Sequence, residues 1–351
     1  MLGESGIKPV RRFRTDSYNS SIAACIEDLE PTGNRSMVYD MLDRLFITLG
    51  PVPVDSFLIA ASAKAGIDNL ERLCHGIPAD AHDCLLSHLS DHISKRFKLT
   101  GGGMHISAAC ASSTIALAQG ASLIELGRAD SILICCFDIV TEFVFSGFCA
   151  LQAMSPVPCM PFDRNRKGMN IGEGAAALLL MNSEKAKKED RAPIGALLGW
   201  AVSNDATHIT APAMDGSGLI LAIRKALKKS KLPEDAISAI CAHGTGTVYN
   251  DLMELVSFKD VFRERKMPVF SVKGAIGHTM GAAGGIEAAL CLKGIANGVV
   301  PPTAGFGSPE KGAEGLVSNE PAMIDGDYML STNSGFGGVN AAVIIGKGIR
   351  S

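Results

Sequence analysis

Residues 104–127 read MHISAACASSTIALAQGASLIELG, and Ser131–Asp138 follow as SILICCFD. The first stretch changes character at Cys110. Before it, the chain predicts a short strand over 104–109. After it, small and apolar residues predict a helix from about Cys110 to Leu126, stopped by Gly127. SILICCFD predicts a further apolar strand. Strand, turn, helix and strand in quick succession form the repeating unit of an α/β protein.

The same alternation extends on both sides. Residues 55–62 (DSFLIAAS) and Gly174–Met181 (GAAALLLM) read as strands, with helices over 37–49 and 68–98, the latter broken at Gly76-Ile77-Pro78. Further on come a helix at 217–229, a strand at 239–242, a helix at 251–264 and a strand at 269–272. A small-residue helix at 281–295 stops before Asn297-Gly298, and strands at 328–333 and 341–345 close the chain. The helices at 110–126 and 281–295 each follow a short strand and a turn, and both are rich in Ala, Ser and Gly. That correspondence hints at an internal duplication whose two helices pack closely at the centre. No linker or low-complexity segment divides the chain.

Of the 351 residues, 47% are hydrophobic and 20% charged, the balance of a folded globule, and a net charge of −3 gives no global attraction for nucleic acid or anionic membrane. No apolar run approaches the ~20 residues of a spanning helix, and the start of the chain lacks a signal-peptide pattern. Ten cysteines contain no CxxC pair, and several sit in apolar runs (Cys135, Cys136, Cys241, Cys291), where they act as small hydrophobes. These features predict a soluble, cytoplasmic protein in a reducing environment, without metal, nucleic acid or membrane partner. No GxSxG elbow or Walker A loop is present. Gly101-Gly102-Gly103 has no basic residue or helix start behind it to hold a phosphate.

Three residues stand out chemically. Cys110, in SAACASS, lies where a strand gives way to a helix, so the helix dipole predicts a lowered thiol pKa and free backbone N–H groups predict an oxyanion site. His243 begins HGTGT after an apolar strand, with glycines that let a ligand approach the backbone and hydroxyls on Thr245 and Thr247. His278 ends KGAIGH before a glycine-rich helix start. A lone histidine near a turn is usually a solvated or capping group; two on Gly-flanked strand ends of a sheet protein stand where α/β folds place their sites. Gly335-Phe336-Gly337-Gly338 is either an ordinary turn or a bulky ring on a glycine hinge.

Taken together, SAACASS, HGTGT, SVKGAIGHTMGAAG, PFDR (161–164), GEGA (172–175), VPPT (300–303) and GFGG (335–338) resemble, in order and spacing, the β-ketoacyl-acyl-carrier-protein synthases of type I/II. The resemblance runs from about residue 3 to the C-terminus. It implies a thiolase fold, two similar αβαβα halves in five layers (1–191 with the cysteine, 192–351 with both histidines), and a homodimer. It further implies decarboxylative condensation of malonyl-acyl-carrier protein with an acyl group on Cys110, as in fatty-acid elongation. His243 and His278 would stabilise the enolate, Lys273 would orient the site through Glu287, and Thr245 and Thr247 would line the phosphopantetheine channel. Phe336 would supply an oxyanion N–H and, with Gly337, a gate. The partners implied are acyl carrier protein and acyl and malonyl thioesters; no dissociable cofactor is implied.

Several departures qualify that pattern. The family's first strand and helix have no counterpart, which predicts loss of a central strand and either an exposed sheet edge or another segment filling the gap. The glycine loop is one residue shorter than NSFGFGG. Met160 stands where Arg is frequent, leaving Arg164, Arg166 and Lys167 to meet an acidic carrier. Two alternatives stay open: a polyketide or polyene ketosynthase, and a non-catalytic partner subunit of the chain-length-factor kind, the latter opposed by the presence of Cys110, His243 and His278. CoA-dependent thiolases lack HGTGT, and initiating type III synthases place Asn where His278 stands.

Overall fold

The computed structural model describes residues 3–348. A short antiparallel pair, β1 (Lys8–Pro9) and β2 (Ile22–Ala23), precedes α1 (Met37–Thr48), whose N-terminus is capped by the Ser36 side chain accepting from the Val38 N–H. Then follow β3 (Phe57–Ala61), α2 (Asp68–Cys74), α3 (Leu86–Phe97), β4 (Gly103–Ile106), α4 (Ser112–Glu125), β5 (Ser131–Asp138), α5 (Glu142–Ala150) and β6 (Gly174–Met181). After α6 (Ser183–Lys188) come β7 (Gly195–Asn204), α7 (Ser217–Ser230), β8 (Ile237–Cys241), α8 (Val248–Phe262), β9 (Val269–Phe270), α9 (Lys273–Ile276) and α10 (Ala283–Asn297). The small strands β10 (Val299–Val300) and β11 (Ala322–Met323) pair with each other, and β12 (Tyr328–Gly335) and β13 (Val339–Lys347) form the closing hairpin.

Two sheets carry the architecture, with strand orders β4-β3-β5-β6 and β9-β8-β12-β13-β7. Their topologies correspond. β3 runs parallel to β4 and β5, and β6 turns antiparallel to β5; likewise β8 runs parallel to β9 and β12, and β13 turns antiparallel to β12. The strand period of two divides each strand between two cores. Ile59, Ile134 and Cys136 of the first sheet and Ala239, Met329 and Val343 of the second share one cluster with Ala116, Leu117, Ala288 and Cys291 of α4 and α10. The opposite faces pack outward, Leu58, Leu133 and Phe137 against α1 and α3, and Ile240, Leu330 and Ile344 against α7 and α8. Helices, sheet, helices, sheet, helices: the five layers follow directly.

Small residues make the middle layer thin. A β-carbon on Gly284 would collide with the Thr114 hydroxyl, one on Gly285 would collide with the Cys136 sulfur, and the Gly285 N–H donates to Ser113 Oγ at 2.9 Å. The central helices therefore approach backbone to side chain, as their composition suggests.

The sheets differ at one edge. β13 is flanked by β7 from Val339–Asn204 to Lys347–Gly195, whereas β6, its counterpart, has no strand on that side among the described residues. This corrects the expectation of a lost central strand. The unmatched position is an outer one, so β3 and β5 keep partners on both sides and the shared core remains closed. Glu173, just before β6, helps hold the flank: it accepts both guanidinium nitrogens of Arg12 at 2.7 and 2.8 Å and the N–H groups of Ile26 and Val140.

Candidate active site

Cys110 sits in the turn between β4 and α4. The Ser112 hydroxyl accepts from the Ala108 N–H at 2.8 Å and donates to the Ala109 carbonyl at 2.6 Å, which cinches the turn around the cysteine. Ala109 is driven into the left-handed region (φ 49°), a costly place for a residue with a β-carbon and one often found beside functional groups. The side chain of Cys110 is buried, and the end of β12 at Gly335 passes against its backbone N–H. Among the described residues, neither the Cys110 N–H nor the Phe336 N–H donates to another protein group.

His243 leaves the C-terminal end of β8 and is held from behind by Glu254 of α8. The Glu254 carboxylate accepts the His243 N–H at 2.7 Å, the Gly244 N–H at 2.6 Å and the Asn250 side-chain amide at 2.9 Å. Gly246 has φ +77°, and at Gly244 (φ +41°) any β-carbon would strike Ser271, so HGTGT needs both glycines for its path. Burial pushes Glu254 up to about 7, with the two backbone N–H groups opposing.

His278 follows α9 through Gly277. Its N–H donates to the Asn170 carbonyl at 2.7 Å and its carbonyl accepts from Gly172 N–H at 2.9 Å, so the first half of the chain fixes the second half's histidine. Neither ring nitrogen has a hydrogen-bond partner among the described residues, although both are buried. Such orphaned polar atoms are costly in a core and are found where a ligand supplies the missing partner.

These three residues, far apart in sequence, converge. The Cys110 sulfur and one ring nitrogen from each histidine all lie within 4.8 Å of one another, and the two rings meet edge to face with centroids 5.1 Å apart. Lys273 and Glu287, both 1% exposed, pair at 2.5 Å. Asn333 of β12, a residue that sequence reasoning passed over, donates to Glu287 at 2.7 Å, lies 3.3 Å from His243 Nδ1 and accepts from the Thr114 hydroxyl.

The electrostatics correct one expectation. Burial pushes the Cys110 thiol up to about 12, with Lys273 opposing and Asp138 and Glu287 reinforcing. Desolvation is the largest influence on the sulfur, and it leaves the Cys110 side chain a neutral thiol near pH 7. Burial, with Lys273 adding to it, also drives both histidines well below their usual value, so both imidazoles are neutral near pH 7. Burial alone would lower Lys273, but Glu287 holds it above the ordinary lysine value. The close spacing of Cys110, His243 and His278 would also suit a soft divalent ion; the neighbouring Lys273 ammonium sets a fixed positive charge against one. Asp80, Asp83 and His88 form a second group of comparable spacing.

Thr245 and Thr247 bond to each other, Oγ1 to Oγ1 at 2.9 Å, with Thr245 buried and Thr247 half-buried. Phe336 and Gly337 lie in the turn of the closing hairpin; the Phe336 ring is half-buried against Phe148 at 5.8 Å, and Gly337 and Gly338 take φ of 86° and 77°. The expected basic contact needs revision. Arg164 and Lys167 are exposed, but Arg166 is buried, bonding Glu310 at 2.7 Å and the carbonyls of Asp163, Thr247 and Val248. It braces HGTGT and cannot meet a partner.

A buried cysteine at a strand–helix turn, faced by two neutral imidazoles across a duplicated five-layer fold, defines an acyl-transferring enzyme of the thiolase superfamily. Residues 71–186 match the β-ketoacyl synthase N-terminal domain and residues 194–307 the β-ketoacyl synthase C-terminal domain. The chain belongs to the β-ketoacyl synthase family. It is 35% identical to the chloroplastic 3-oxoacyl-[acyl-carrier-protein] synthase I of Hordeum vulgare, covering 98% of this chain and 83% of the relative. Against the 3-oxoacyl-[acyl-carrier-protein] synthase 2 of Coxiella burnetii the identity is 26%, over 99% of this chain and 92% of the relative. Among solved structures, the ishigamide ketosynthase/chain length factor matches with a TM-score of 0.88 and 28% identity, covering 99% of this chain and 93% of that one. A ketosynthase in complex with its chain length factor from Xenorhabdus doucetiae matches at 0.80 and 26%, covering 99% and 92%.

Proposed function

We propose that the chain is a β-ketoacyl-acyl-carrier-protein synthase of fatty-acid elongation, with Cys110 as nucleophile. The observation that carries the reading is the convergence of the Cys110 sulfur with two neutral imidazoles, one of them without a partner at either nitrogen among the described residues. In acyl transfer, the Cys110 sulfur bonds the acyl carbonyl while its proton passes to His278, whose ring nitrogens have no partner among the described residues. That proton then goes to the departing phosphopantetheine sulfur. The N–H groups of Cys110 and Phe336 hold the carbonyl oxygen of the tetrahedral intermediate.

In condensation, His243 and His278 donate N–H bonds to the malonyl thioester oxygen. The bond to the departing carbon dioxide breaks and its electron pair becomes the enolate. Each such donor is worth about 3–4 kcal/mol in a water-excluded site. The enolate carbon bonds the acyl carbonyl, the carbon–Sγ bond breaks, and the sulfur takes up one proton. No step uses a metal or dissociable cofactor, since loss of carbon dioxide drives the reaction. Lys273 with Glu287 orients the pocket, Thr245 and Thr247 line the arm's path, and Phe336 with Gly337 forms the gate. Arg164 and Lys167 offer charge to an acidic carrier protein, and the chain works as a homodimer in the cytoplasm.

Similarity over 98% of the chain to a 3-oxoacyl synthase supports the fatty-acid reading; the ketoacyl synthase alpha subunit of the tetracenomycin polyketide synthase from Streptomyces glaucescens is 34% identical over 69%. Incubation with malonyl-carrier and acyl-carrier primers of graded length, read by mass spectrometry, tests the proposal. Extension of saturated primers supports it; product only after chain-length-factor addition, or none, would move the chain to the other class.

A further inference from the structure

We infer that Asn333 is the positioning residue that fixes the tautomer of His243, leaving its Nε2 as the N–H donor aimed into the pocket. The inference rests on the condensing role given to His243. It starts from an ion pair: Lys273 and Glu287 are buried together, and although burial pushes the Glu287 carboxyl above its usual range, the Lys273 ammonium and the Asn333 amide oppose that shift and favour the carboxylate as an acceptor. Glu287 Oε2 then decides which way the Asn333 amide faces, because only the NH2 end can meet a carboxylate, at 2.7 Å. Thr114 agrees, donating its hydroxyl to the Asn333 Oδ1 on the opposite side.

With the amide locked, its second N–H points at His243 Nδ1, 3.3 Å away. A donor there requires a lone pair on Nδ1, so the imidazole proton sits on Nε2. Both neighbours of Asn333 face it from different elements, Glu287 from α10 and Thr114 from α4, so the middle layer of the fold sets the hydrogen-bonding state of a ring carried by β8. His278 has no comparable partner among the described residues, where its two ring nitrogens are unbonded. The pair is therefore asymmetric, with one histidine locked as a donor and the other free to relay a proton. It also gives Lys273 a defined purpose at one remove from the chemistry, through Glu287 and Asn333.

The decisive measurement is nitrogen NMR of the isotope-labelled histidines in the intact wild-type protein, with His243 assigned by comparison with His243→Gln. The structure requires a protonated Nε2 and an unprotonated Nδ1; the reverse pattern overturns the inference whatever the activity. In Asn333→Asp the new carboxylate accepts from Nδ1–H instead and turns Nε2 into an acceptor. Malonyl-carrier decarboxylation, measured with Cys110→Gln as background, should then fall about 100- to 1000-fold, the effect of losing one oxyanion donor. Acyl transfer to Cys110, measured without that background, should survive. A folded Asn333→Asp protein with undiminished decarboxylation would also overturn the inference. If the protein without the Asn333 substitution decarboxylates nothing, the proposed function fails while the wild-type NMR still decides the tautomer.

Discussion

Gly284 of α10 lies against Thr114 of α4 so closely that no β-carbon fits between them. The same Thr114 hydroxyl reaches Asn333 and, through it, Glu287 and His243. Close packing of the two halves and alignment of the site are thus one feature. Gly284→Ala should cost about 1–3 kcal/mol through overpacking, seen as a lower urea midpoint, and should depress condensation more than stability alone explains. An unchanged midpoint would show that the helices can part without consequence.

The Lys273–Glu287 pair sits in a dry interior. Replacing Glu287 with Gln leaves an uncompensated buried ammonium, which typically costs about 3–5 kcal/mol. Chemical denaturation of Glu287→Gln against wild type measures this directly. A loss below about 1 kcal/mol, the range of exposed pairs, would mean that water reaches the pair.

Both pocket histidines are held below their usual value, and the sign of the pH effect follows. Below about pH 6.5 the unfolded chain takes up protons on these histidines while the folded chain does not, so stability falls with falling pH. From about pH 7.5 to about pH 5.5 the two together should contribute a loss of about 2–3 kcal/mol. Glu254 and Asp138, pushed up to about 7 and about 6 by burial, act in the opposite sense, so the comparison must be with a His243→Asn/His278→Asn double variant. That variant should lose less stability than wild type over the same range; an equal loss would place the histidine protons elsewhere.

Much of this was legible in the chain, and the omissions have physical causes. SILICCFD and GAAALLLM form strands over the residues predicted, because continuous apolar runs with β-branched or leucine positions have one good fate in a buried sheet. β7 was passed over. Its sequence GALLGWAVSN is half-buried and carries Gly199 at its middle, where the strand presses on the Ala226 carbonyl of α7; no alternation marks such a strand. Among site residues, cysteine and histidine declare themselves by chemistry. Asn333 reads as one more strand residue, and only the path of β12 sets it between Glu287 and His243. Arg166 reads as a surface charge, since nothing local announces that it will be buried against Glu310. The neutral state of Cys110 was likewise hidden, since a dipole can be read from a helix start but desolvation needs the whole fold.

Cys110 titrates late because it is buried. In a Cys74→Ser protein, which removes the exposed cysteine, iodoacetamide labelling of Cys110 should keep accelerating above about pH 9, past the range of ordinary thiols. A rate that levels off near neutrality would reveal a resting thiolate.

On the proposed reading, one sulfur and two imidazoles act as a single condensing centre. Mass spectrometry of carrier-bound products from malonyl and acyl donors, wild type beside Cys110→Ala, examines it most directly. The wild-type protein should release carbon dioxide and yield a β-ketoacyl carrier extended by two carbons, and the Cys110→Ala protein should yield none. Equal product from both would contradict the account.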